Sequence, residues 1–244
     1  MCGRYSLFAS REDIETRFDA EFAFEFEPRY NAAPSQDLPV ITGESPGTVQ
    51  RMEWGLIPSW AEDRTAHGHI NARAETLTEK RSFAEAYASR RCLVPADGFY
   101  EWVERSGEGP EAGGKQPYRV ALPDDDLFAM AGLYERWEPP QRQTGLGEFG
   151  ASGGDTSSTD DAGGEDDLVE SFTIVTTEPN DAVADLHHRM AVILDPAEES
   201  TWLRGSADEV SALLDPYDGD MRTYPVSSAV NSPSNDSAEL IEPI

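Results

Sequence analysis

Apolar residues recur along this chain mostly in short runs of strand length, and seldom at helical spacing. Leu38–Thr42, Thr48–Gly55, Gly98–Glu104 and Pro117–Leu122 read as strands. So do Leu127–Trp137, Ser171–Thr177, Met190–Leu194 and Met221–Val226. Helices are fewer. Ser10 ahead of Asp13 is an N-cap leading into Ile14–Phe18, and Thr78–Arg90 is rich in helix formers. Pro179–Leu186 and Pro196–Arg204 read as short helices, and Ser206-Ala-Asp-Glu209 is a capping box that opens a helix to Leu214. Short strands, scattered helices and no βαβ alternation predict an α+β fold: a mainly antiparallel sheet or open barrel with peripheral helices.

The pattern lapses from Glu138 to Glu170, where Gly, Ser, Thr and Asp dominate. Such a composition buries too little apolar area to offset backbone entropy. Residues 138–170 are therefore expected to be a disordered, low-complexity acidic insertion between two strands, within a single domain over 1–244. That length lies in the range one core can organise.

Composition narrows the class. Five Trp and 38% hydrophobic residues support a substantial core. No apolar run approaches the ~20 residues of a membrane span, and no secretory leader is evident. Two cysteines, Cys2 and Cys92, make no disulfide framework and no zinc pair, which fits a reducing cytoplasm. Cys92 reads as a packed thiol, and His67-Gly68-His69 as a polar loop with no third metal ligand nearby. No metal, no cofactor and a monomer are the expectations.

Charge is the most unusual bulk property. Nineteen Lys and Arg face 47 Asp and Glu, for a net charge of −28, and the only lysines are Lys80 and Lys115. A chain this acidic repels nucleic acid in general. Acidic residues spread over the whole length favour adaptation to concentrated salt, where the screening length falls to roughly 3 Å at ~1 M. Loss of structure in dilute buffer is the expected consequence, and full folding without added salt would count against it.

The start, Met1-Cys2-Gly3-Arg4-Tyr5, carries the most specific chemistry. Removal of Met1 leaves Cys2 with an α-amine and a thiol on adjacent carbons. An amine condenses with an aldehyde to an imine, and the neighbouring thiol then closes a five-membered thiazolidine. The amine's ordinary pKa of about 7.7–8.0 leaves roughly a tenth neutral at pH 7. The thiol is expected to ionise more easily beside a protonated amine or Arg4. The alternative is that Cys2 is an incidental small buried residue.

Further segments bear on that choice. They are Arg29-Tyr30-Asn31-Ala32-Ala33-Pro34, Trp54-Gly55-Leu56-Ile57-Pro58-Ser59-Trp60 and Asn71-Ala72-Arg73-Ala74-Glu75-Thr76. Arg91–Trp102 (R-C-L-V-P-A-D-G-F-Y-E-W), Leu186-His187-His188-Arg189-Met190 and the closing Ala238–Pro243 follow. With M-C-G-R-Y, and in this order, they resemble the SOS-response-associated peptidase (SRAP) family. The resemblance runs from Cys2 to Pro243, missing only the acidic insertion.

The resemblance implies capture of abasic sites in single-stranded DNA. The ring-opened sugar aldehyde would be joined to Cys2 as a thiazolidine DNA–protein crosslink that shields the lesion. It also implies self-removal of Met1, a peptidase-like hydrolysis beside a lyase-like crosslinking. By motif position Cys2 is the nucleophile, and Asn71, Glu101 and His187 complete the site. Glu101, within an apolar strand, suits proton shuttling once desolvation raises its pKa. His187 can protonate the sugar ring oxygen, and Asn71 can orient the amine or the sugar. His188 beside His187 is the competing assignment, although spacing to Arg189 favours His187. The family pattern has proline after H-x-R-M where this chain has Ala191, a departure that bears on the rigidity of the turn.

For DNA contact, Arg64–Cys92 is the most basic stretch, with six bases against three acids. Arg4, Arg73, Arg81 and Arg189 occupy motif positions that in the family meet phosphates, which guanidinium groups suit. Trp54 has two readings, base stacking or core packing; Trp60, Trp102 and Trp137 are expected in the core. Concentrated salt weakens phosphate contacts on single strands by roughly 0.7 log unit per neutralised phosphate per log unit of salt, whereas a covalent adduct persists. The main rival function is an N-terminal-nucleophile cysteine amidohydrolase or peptidase, which predicts turnover and no lasting adduct. A binding module with Cys2 incidental is the non-enzymatic alternative.

Overall fold

A computed structural model describes residues 2–64, 68–104, 114–139 and 168–244. Of the expected insertion, residues 140–167 lie outside the described residues, and so does His67. The strands in chain order are β1 (Tyr5–Leu7), β2 (Glu21–Phe22), β3 (Arg29–Ala32), β4 (Asp37–Thr42), β5 (Thr48–Trp54), β6 (Asn71–Arg73) and β7 (Arg91–Ala96). Then come β8 (Gly98–Glu104), β9 (Lys115–Ala121), β10 (Phe128–Trp137), β11 (Val169–Thr177), β12 (Met190–Ala191), β13 (Ile193–Leu194) and β14 (Arg222–Pro225). The α-helices among the described residues are α1 (Arg11–Phe18), α2 (Ala84–Ser89), α3 (Asp181–Ala184), α4 (Glu199–Arg204) and α5 (Ala207–Ser211), all short.

The expected α+β class holds, and the choice between open sheet and barrel is decided by one parallel contact. β4 pairs with β5 and β7, β7 with β10, and β10 with β11, all antiparallel. β11 then returns to β5, with Ser171 opposite Glu53 and Phe172 opposite Trp54, so the ring closes. Closure satisfies edges that an open sheet would expose. Gly55 ends β5 at φ 141, a backbone region that side chains rarely adopt, and its N–H donates to the Phe172 carbonyl at 2.9 Å. Trp137 pairs with Val169 and Arg136 with Glu170, so the end of the expected 138–170 insertion belongs to β11, and the two strands on either side of it are direct antiparallel neighbours.

A second sheet runs β14-β9-β8-β1-β3. Asp97 is the one residue between β7 of the barrel and β8 of this sheet. Core residues fill the space between: Tyr5, Trp54, Phe99, Met130 and Phe172 are all buried, and the Tyr5 and Trp54 rings lie 5.2 Å apart.

Several sequence expectations need adjusting. Thr78–Arg90 is helical only over α2, because Leu77–Phe83 is spent on turns whose N–H groups, such as Phe83 to Lys80, bond locally. The strand Met190–Leu194 divides at Val192, where the chain leaves β11 for β10; the Val192 N–H donates to Val175 and its carbonyl accepts from Ala131. The caps behave as read: the Ser10 side chain accepts from the Asp13 N–H, and the Ser206–Glu209 box is reciprocal. Trp60 is not in the core: it is 37% exposed, with the Arg81 guanidinium 4.3 Å above its ring. Trp102 is half-buried and donates to Asn231, whereas Trp137 is buried and donates to the Ala61 carbonyl. Among the described residues no helix is long and apolar enough to cross a membrane, and no group of three His, Cys, Asp or Glu residues could hold a metal.

Candidate active site

The start of β1 brings Cys2 to the junction of barrel and second sheet. β1 is the neighbour of β8, with Tyr5 opposite Phe99 and the Tyr100 N–H donating to the Arg4 carbonyl at 2.9 Å. That register sets Glu101 beside the residues preceding Tyr5, and the Glu101 carboxylate acts electrostatically on the Cys2 thiol. From the barrel side, the Asn71 Nδ2 at the start of β6 donates to the Cys2 carbonyl at 2.9 Å. β6 lies parallel to β11, and β11 in turn pairs with β12 just after His187, Thr176 facing both Arg73 and Ala191. Helix α3, capped by Asn180, ends in the turn that presents His187, whose N–H donates to the Val183 carbonyl at 2.9 Å. Residues from distant parts of the chain, Cys2, Asn71, Glu101 and His187, thus converge on the chain's start.

Electrostatics differ among them. Glu101 is buried, and loss of hydration pushes its carboxyl up to about 7, opposed by the charge of the amino terminus and by Lys115. Its protonated and ionised forms are then both populated near neutrality. His187 is half-buried; burial first, then the amino-terminal charge, holds its pKa below the ordinary histidine value. The His188 ring lies 4.2 Å from it, but His188 is exposed. Cys2 corrects one expectation. Burial, reinforced by Glu101, pushes its thiol well up, and the Arg4 guanidinium turns away to the Asn31 Oδ1 and the Val230 carbonyl, 2.7 Å from each.

The sequence matches the model of the family described as SOS response associated peptidase (SRAP) over residues 1–233. The chain belongs to the SRAP family. It is 41% identical over 251 residues to the abasic site processing protein YoqW of Bacillus subtilis, covering 99% of both chains. It is 30% identical over 259 residues to the abasic site processing protein HMCES of Pongo abelii, covering 89% of this chain and 65% of that one. The fold is similar to a crystal structure of a protein from Bacteroides thetaiotaomicron, with TM-score 0.78, 29% identity and full coverage of both chains.

The residues of this SRAP chain that sequence reading assigned to DNA fare unevenly. Arg73 and Arg81 are exposed. Arg4 is half-buried and engaged with Asn31, Val230 and, at 5.9 Å, the Trp102 ring. Trp54 is fully buried and its Nε1 donates to the Ile70 carbonyl at 2.9 Å, so of its two readings core packing holds. The exposed indole in that segment belongs to Trp60. Arg189 is buried as well, paired through both terminal nitrogens with Glu75, and is not presented to solvent as a phosphate contact. Sequence reading gave no role to Glu75 or Asn31. Both stand inside motif strings, and an acid two residues from Arg73 in a basic stretch was the available signal.

Proposed function

We propose that this protein processes abasic sites in single-stranded DNA by crosslinking them covalently to Cys2 once Met1 has been removed. The observation that carries the reading is the Asn71 amide on the Cys2 carbonyl beside a buried carboxyl poised near pH 7. Asn71 fixes where the residue's nitrogen and sulfur sit, and Glu101 is a group able to accept and return a proton there.

The chemistry balances without a cofactor. His187 protonates the sugar ring oxygen as its bond to the anomeric carbon breaks, and the anomeric hydroxyl releases its proton to solvent, leaving the open aldehyde. The neutral Cys2 amine adds to the aldehyde carbon to give a carbinolamine. Glu101 takes the proton from nitrogen and returns one to the departing hydroxyl, so that water leaves and an imine forms. The thiol sulfur then bonds to the imine carbon, and its proton passes to the nitrogen, closing the thiazolidine. Burial pushes the thiol pKa up, which favours the amine as the first nucleophile. In the sequence as it stands Cys2 follows Met1, so its nitrogen is an amide and this chemistry awaits hydrolysis of that bond. The relatives named as abasic site processing proteins support the lesion class.

DNA would be met by Arg73 and Arg81, with Trp60 rather than Trp54 as the exposed stacking surface. A denaturing gel of the Met1-processed protein with uracil-containing single-stranded DNA and uracil glycosylase is the direct test. A shifted band that survives denaturation and vanishes in Cys2→Ala is expected. Turnover of a small amide with no band would instead support the amidohydrolase reading, and neither outcome would leave a binding module.

A further inference from the structure

We propose that Glu75 is a positioning residue for His187, acting through Arg189; the inference rests on the function proposed above. Asn71–Thr76 is one short segment, strand β6 followed by a single 3-10 turn over Ala74–Thr76. At one end its Asn71 amide reaches Cys2, and at the other its Glu75 carboxylate reaches Arg189. The contact is bidentate: Arg189 Nη1 donates to Glu75 Oε1, and Nη2 donates to Oε2 at 3.0 Å. The same Nη2 also donates to the Thr176 carbonyl of β11. Arg189 is buried while the Glu75 side chain is half exposed, and the guanidinium holds the Glu75 carboxyl below its ordinary value. A paired fork of this kind fixes geometry as well as charge.

What Arg189 fixes is His187. The Arg189 backbone makes two contacts with the His187 Nδ1, the N–H at 3.0 Å and the carbonyl at 3.1 Å. In the neutral ring with its proton on Nε2, Nδ1 accepts from that N–H. In the protonated ring Nδ1–H donates to that carbonyl. Either state keeps one orientation, and proton exchange with a sugar oxygen goes through Nε2. The other charges acting on the ring are the amino terminus, His188 and Lys115. Glu75 therefore sets where the proton donor stands without touching the reacting atoms, and it occupies the guanidinium that would otherwise be offered to a phosphate.

The experiment uses the full Met1-processed chain. Single-turnover crosslinking of abasic single-stranded DNA is followed against pH for wild type, Glu75→Gln, Glu75→Asp and Arg189→Lys. Encounter affinity is measured separately on an oligonucleotide carrying a tetrahydrofuran abasic analogue, which has no aldehyde. Glu75→Gln is expected to slow adduct formation roughly 10- to 100-fold, as a misplaced group does. Its pH profile and the NMR titration of the His187 ring should shift with it, while affinity for the analogue stays within about twofold. Glu75→Asp should recover part of the rate, and Arg189→Lys, which keeps the charge but loses the fork, should resemble Glu75→Gln. Tighter analogue binding with an undiminished rate would mean that Glu75 merely masks a phosphate-binding arginine, and would overturn the proposal. So would an unchanged His187 titration in folded Glu75→Gln or, should that variant not fold, in Arg189→Lys. If wild type forms no adduct at all, the crosslinking function fails, whereas the ring titration still decides the role of Glu75.

Discussion

Two buried carboxylates stand four residues apart on the same stretch of chain, and their surroundings give them opposite work. Asp97, at the hinge between β7 and β8, accepts from the Ser6 hydroxyl at 2.7 Å, from the Phe8 and Ala9 N–H groups, and from the Arg119 guanidinium. Burial raises its pKa, and every one of those partners pulls it back. Arg119 is itself wholly buried, and lies so close over Gly98 that an added Cβ would stand 2.7 Å from its Nη2. That cluster is a rivet joining barrel to sheet. Glu101, further along β8, is raised by burial to about 7, and the charges that oppose the rise are those of the amino terminus and Lys115. A buried acid ringed by fixed donors stabilises the fold; one left to titrate near neutrality is available for chemistry.

That contrast can be broken from either side. Glu101→Gln removes the proton carrier while keeping the shape, so crosslinking should fall by about 10²–10⁴ with the fold intact, as measured by single-turnover gels. Relative to wild type, the same variant should gain stability as pH rises, because wild type loses it. The folded carboxyl keeps its proton up to about 7 whereas the unfolded one releases it near 4.5. Its contribution to stability is therefore complete below pH 4.5 and is lost as pH rises through 7, amounting to about 3 kcal/mol. Denaturant melts of wild type and Glu101→Gln should diverge between pH 5 and pH 8, and parallel curves would show Glu101 to be ordinary.

Arg119→Met should do the reverse. It strands the Asp97 charge and should cost about 3–5 kcal/mol of stability, with the crosslinking rate per folded molecule unchanged. Wild-type stability in that variant would dissolve the distinction between the two clusters. The smallest effect is expected at Trp60. Trp60→Ala should weaken the encounter with single-stranded DNA by about 1–3 kcal/mol, read by fluorescence anisotropy. It should leave the melting midpoint almost unmoved, because the indole is already partly in solvent. A large loss of stability instead would return Trp60 to the core.

The sequence by itself determined the α+β class, the longer strands and the caps at Ser10 and Ser206. Runs of apolar residues and cap chemistry are local, and they survive in the structure nearly where they were read. It also determined the family, through motif strings in fixed order. Short strands such as β1, β3 and β6 were not legible, because a three- or four-residue strand exists only through its partner; β6 is held by β11. Nor was the state of the polar groups. Trp54 and Trp60 stand six residues apart with similar neighbours, and only packing sends one beneath Tyr5 and the other to the surface. Arg189 reads as a phosphate ligand until Glu75, remote in sequence, is found holding it. Charge and hydrogen-bonding capacity are written in residue identity, whereas burial, pairing and pKa depend on what the fold brings alongside, and that is a property of three-dimensional contact alone.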